Sequence, residues 1–87
     1  MNNKFVIKYY SQKITRNAKQ NEATFFSVSL DRYTTIGCVG WSTNNTDLKV
    51  LSVIFSTESK VRMDIVNQSS SIINANCGVN VLFLLNS

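Results

Sequence analysis

The chain contains no histidine and no proline. Without an imidazole it lacks the most frequent general base and the commonest metal ligand, and its two cysteines, Cys38 and Cys77, do not have CxxC spacing. No metal or cofactor site is therefore expected. Carboxylates are scarce as well: Glu22, Asp31, Asp47 and Glu58 fall in expected turns, and Asp64 lies on a strand beside Arg62, where an ion pair is its expected role. Acid–base, nucleophilic and paired-carboxylate catalysis have no catalytic residue to offer, and the chain reads as a non-enzyme. Gly37, Gly40 and Gly78 sit in strand-like runs instead of leading into helices, which removes phosphate-cradling loops. No apolar run approaches the roughly 18 residues of a membrane span, and residues 1–20 lack the order of a signal peptide. The missing prolines remove one of the devices that keep edge strands from pairing with other chains.

Charged residues make up 16% of the sequence, against about 25% in ordinary globular domains. Uncharged polar groups take their place, with 29 of the 87 residues Ser, Thr or Asn. A neutral hydrogen-bonding exterior suits sugars, water and partner subunits better than polyanions. Residues 1–20 nevertheless carry Lys4, Lys8, Lys13, Arg16 and Lys19 with no acid, within a net charge of +4. These five define an alternative reading, a small basic protein that binds nucleic acid or an anionic surface. The plainer reading is a solvated strand face, because the cations are interspersed and no Arg-rich block or aromatic RNA-binding consensus accompanies them.

Apolar residues alternate with period two along nearly the whole chain, and helical spacing is nowhere sustained. The expected fold is all-β: one domain, residues 1–87, a small antiparallel β-sandwich or jelly-roll-like arrangement of six to seven strands that self-associates. Phe5, Ile7 and Tyr9 share one face of a first strand, and a separate polar strand is expected over 12–18. Phe26, Val28 and Leu30 mark the inner face of a third strand, and 35–41 form a fourth. Ser42, Asn44 and Asn45 lie in the most turn-rich stretch of the chain. Leu48 to Phe55 is apolar on both faces and is expected to be a central strand. Residues 57–59 make a hairpin, after which Val61, Met63 and Ile65 point inward and Lys60, Arg62 and Asp64 outward. The last strand places Ala75, Cys77, Val79, Val81, Phe83 and Leu85 on one face and Leu82 and Leu84 on the other, so it must be covered twice. Both cysteines act as small core residues, and a disulfide requires their strands to be neighbours.

Gly40-Trp41 suggests a strand where a bulky group comes close to the main chain. A lone Trp in a small sandwich is as a rule the core's largest packing element, so Trp41 is expected inside with Tyr33 at a strand end. In the competing reading, both are exposed, stack on sugar rings, and act with the Ser42, Asn44 and Asn45 loop. Those five residues are the candidate ligand-binding set.

Tyr33, Ile36-Gly37 and Val39-Gly40-Trp41, then a polar loop, an alternating strand near 51–55, Asn67 closing the next strand, and a terminal Val79-x-Val81-Leu82-Phe83 form a recognisable series. Over residues 33–85 it resembles the C-terminal domains of phage tail fibres and tail-like minor structural, receptor-binding proteins of Gram-positive hosts. That resemblance implies a homotrimeric β-sandwich tip whose partners are its own copies, a bacterial cell-surface carbohydrate or another tail protein. It implies host attachment without catalysis, and a place in the virion or, before assembly, in the bacterial cytoplasm. The family's domains follow a fibre shaft, whereas no shaft, collagen-like repeat or coiled coil is present here, so a small separate virion or prophage protein or an excised domain is expected.

Overall fold

Alternation of this kind produces six strands in the computed structural model, which describes residues 4–86. They are β1 (Phe5–Arg16), β2 (Asn21–Ser27), β3 (Tyr33–Thr43), β4 (Leu48–Thr57), β5 (Lys60–Asn67) and β6 (Ile73–Leu85). Two antiparallel three-stranded sheets result, sheet A in the order β1-β6-β3 and sheet B in the order β2-β5-β4. The fold is the expected all-β, sandwich-like one. Only β4 and β5 are hairpin neighbours within a sheet; every other connection crosses from one sheet to the other.

The core lies between the two middle strands. Val61, Met63 and Ile65 of β5 and Val79, Val81 and Phe83 of β6 are fully buried, with Cys77, Phe26, Val28, Leu48, Ile14 and Ile73 completing the cluster. Burying each large apolar side chain contributes about 1.5–3 kcal/mol. The inward faces anticipated for β5 and β6 are the faces observed.

Four expectations change. The two N-terminal strands are one continuous strand, β1, because all twelve of its residues pair with β6 from Phe5↔Leu84 to Arg16↔Ile73. β4 is an edge strand despite its two apolar faces: β5 already pairs with β2 on its other side, and a register shift between Val50 and Ser52 takes Leu51 out of the ladder. Trp41 is 54% exposed instead of buried, since it lies on β3, an edge strand of sheet A, beyond the packed interior. The glycine under a bulky group is Gly78, not Gly40: the Tyr9 ring lies where a Gly78 side chain would be, whereas a side chain at Gly40 would meet only the Asn80 amide nitrogen at 3.5 Å.

The cysteines are on neighbouring strands but do not pair. Cys38 is opposite Val81, four residues along β6 from Cys77, which at about 3.3 Å per residue separates them by about 13 Å, beyond disulfide reach. Burial raises the pKa of both thiols, with the Arg16 charge partly opposing the effect at Cys77.

Two buried polar side chains hold one end of the sandwich. Asn67 is fully buried; the two N–H bonds of its amide are shared among the carbonyls of Arg16 and Asn17 (both 3.1 Å) and of Ser71 (2.7 Å), while its Oδ1 accepts from the Ser69 N–H and hydroxyl. One amide thus joins the end of β5, the β1–β2 turn and the β5–β6 connection. Arg16, 4% exposed, donates to the Glu22 carbonyl and the Thr24 hydroxyl and lies 3.6 Å from the Glu22 carboxylate. Replacing Asn67 by Ala removes all of these hydrogen bonds from a fully buried position and is expected to cost about 3 kcal/mol. A denaturant midpoint shifted by less than a third of that amount would show that the latch is dispensable.

Candidate functional site

The two sheets turn different outer faces to the surroundings. On sheet B, Lys60 and Arg62 each stand 6.0 Å from the Phe25 ring. Arg62 pairs with Asp64 at 3.1 Å along the same strand, and the Ser52 hydroxyl donates to Asp64 at 2.8 Å. This surface is charged along β5, with Phe25 of β2 and Ile54 of β4 about half exposed on either side of Arg62 and Leu51 half exposed at the register shift.

Sheet A is graded. Its outer rows, read across β1, β6 and β3, run Phe5–Leu84–Thr34, Ile7–Leu82–Gly37, Tyr9–Asn80–Gly40 and Ser11–Gly78–Ser42. Lys13–Asn76 and Thr15–Asn74 follow, with Asn44 beside Asn76. One half is apolar and uncharged, with Phe5, Ile7 and Tyr9 each more than half exposed. Ile36 and Val39, where the register shifts, add exposed apolar bulk along the β3 edge. Nothing lies within 4 Å of the position a Gly37 side chain would take, so the face is open there. The Tyr9 ring lies over Gly78 to bring its hydroxyl 3.1 Å from that of Ser42, and this bridge separates the apolar half from the polar one.

The polar half is a groove of about 380 Å³ lined by Lys13, Thr15, Asn44, Asn74, Ala75 and Asn76. Thr15 donates to the Asn74 Oδ1 at 2.5 Å, and the Asn76 N–H donates to the Asn44 Oδ1 at 2.9 Å. A second cleft of about 280 Å³ lies at the other end, between Tyr33, Leu30, Val28, Glu58 and Ser59.

The residues singled out from the sequence are only partly brought together. Ser42 and Asn44 lie on the outer face of sheet A, while the Asn45 side chain accepts the Asp47 N–H and so closes the turn. Tyr33 packs half-buried against the core, eight residues along β3 from Trp41, about 26 Å at strand rise. One sugar cannot bridge the two aromatics. Thr15, Asn74 and Asn76 belong beside Asn44 and were missed; their alternation with Ile14, Ala75 and Cys77 was the available signal. The five N-terminal cations do not form one surface. Arg16 is buried, Lys8 lies 5.1 Å from the Tyr10 ring on the opposite face from Lys13, and Lys19 donates to the Gln68 carbonyl from a turn; Lys4 precedes β1.

Comparison with protein-family models, with curated proteins and with solved structures yields no match to this chain. Among the described residues, no helix is long and apolar enough to cross a membrane.

Two outcomes follow from these faces. Gly78→Ala displaces the Tyr9 ring and breaks its contact with Ser42, yet costs no more than about 1 kcal/mol because the ring is half exposed; a changed Tyr9 chemical shift with a near-native unfolding midpoint is the expected result. The Asp64 carboxyl titrates below the ordinary carboxylate range, chiefly through the Ser52 hydroxyl and then Arg62. Its contribution to stability is therefore complete above about pH 4 and is lost as pH falls through the lowered value. A carboxyl-detected NMR titration should show that value rising in Ser52→Ala.

Proposed function

We propose that this chain is a non-enzymatic, self-associating structural and adhesion module of the phage or prophage tail type implied by the resemblance over residues 33–85. Its copies pack through the apolar half of sheet A, and its polar groups contact a cell-surface carbohydrate. The uncharged outer face carries the reading. Rows from Phe5 to Gly40 hold no charged side chain across three strands, whereas copies of a chain with net charge +4 repel one another elsewhere. A second copy is thus the partner this surface suits, adding another sheet at about 10 Å and covering β6 on its second side. The scattering of the basic residues over two faces, a turn and the interior weighs against the polyanion-binding alternative.

The test is molar mass by light scattering across protein concentration. A multiple of 9.8 kDa is expected, with three copies the order implied by the resemblance. Ile7→Lys, at a position 60% exposed and so compatible with folding, should return the mass to that of one chain. A wild-type mass of one chain at high concentration overturns the proposal, and an Ile7→Lys mass equal to wild type moves the contact off this face.

A further inference from the structure

The groove at the polar end of sheet A differs from a generic sugar-binding surface in one respect, the kind of hydrogen-bonding group left free. Asn44 commits its carbonyl oxygen to the Asn76 N–H, and Asn74 commits its own to the Thr15 hydroxyl. A side-chain amide has one acceptor end and one NH2 donor end. With one lone pair of each of these oxygens taken by the protein and both NH2 groups free, the amides of Asn44 and Asn74 present donors more than acceptors, and Lys13 beside them has only donors. Exposed Asn76 adds a third amide, and no acidic side chain lines the groove. Neutral sugars present hydroxyls that both donate and accept, and they favour sites offering both. A surface of one ammonium and oriented NH2 groups favours a ligand that only accepts and carries negative charge.

We propose that the groove of Lys13, Thr15, Asn44, Asn74 and Asn76 binds an anionic oxygen group, a carboxylate or a phosphate ester, carried on a hydroxylated chain. Lys13 neutralises the charge, the NH2 groups of Asn44 and Asn74 donate to the anionic oxygens, and Asn76 contacts a neighbouring hydroxyl. Thr15 positions Asn74 and touches no ligand. The inference rests on the adhesion reading for the class of polymer, though not for the groove.

The experiment is an NMR titration of the side-chain amides with trigalacturonate, with glycerol 3-phosphate and with neutral maltotriose, on wild type and on Ile7→Lys. Saturable shifts at the Asn44 and Asn74 NH2 groups are expected with an anionic probe, at concentrations at least about tenfold below any maltotriose response. The probe that saturates first identifies the source of the charge. Asn74→Asp, which puts a carboxylate where a donor stood, should weaken binding about tenfold or more with little change in the unfolding midpoint, and Lys13→Gln should do the same. No shift with either anionic probe, an equal response to maltotriose, or shifts spread evenly over the lysines would each overturn the assignment. If shifts persist in a wild type whose mass is that of one chain, self-association fails while the groove stands; shifts absent from a wild-type oligomer give the reverse.

Discussion

Among the described residues, strand β6 is the only sheet partner of both β1 and β3, so sheet A exists only once β6 is in place. Its inner face, from Cys77 through Val79 and Val81 to Phe83, leaves it one register against the core, because a slip of one residue would turn Asn76, Asn80 and Leu82 inward instead. Everything else about the molecule follows from holding β6 opposite β5. The crossing from β5 to β6 is fastened by Asn67, whose amide spans three segments at the point where the chain changes sheets. A fold assembled from such distant pairings closes long loops before its contacts repay them, which places it among slow-folding topologies.

Placing β6 in the middle of sheet A also decides the surface. Its inner face is covered by sheet B, but its outer face, with Leu82 and Leu84, is flanked by Phe5 and Ile7 and by the side-chain-free position at Gly37. Sheet B differs in charge: Lys60 and Arg62 stand against Phe25, and Arg62, Asp64 and Ser52 are tied together, while Leu51 and Ile54 of β4 are about half exposed. That sheet carries charge along its middle strand. The other ends in a gradient from apolar to amide-rich, divided by the Tyr9–Ser42 bridge, and that gradient is the basis for assigning association to one half and ligand contact to the other.

Much of the fold was legible along the chain. Val61, Met63 and Ile65 against Lys60, Arg62 and Asp64 is an alternation with only one sensible inside, and the same holds for the odd-numbered residues of β6. The long β1 was harder to see, because its second half is polar on the outside and carries Gln12, Ile14 and Arg16 inside; its continuity depends on a full-length partner. Arg16 illustrates the general difficulty. In the sequence it is one cation among five, and only the approach of Glu22 and Thr24 makes it an interior residue.

Local pattern determined the strand class, the inward faces of β5 and β6, the turns and the low charge content of the exterior, since each depends on neighbours two residues apart or on composition. Tertiary structure alone decided which strands are edges, and with that the exposure of Trp41, the distance between Cys38 and Cys77 and the meeting of Asn44 with Asn74 and Asn76. Those are properties of pairing between segments from 34 to 79 residues apart. Periodicity states which side of a strand faces inward but not which strand lies next to it, and adjacency is what converts a polar position into a site.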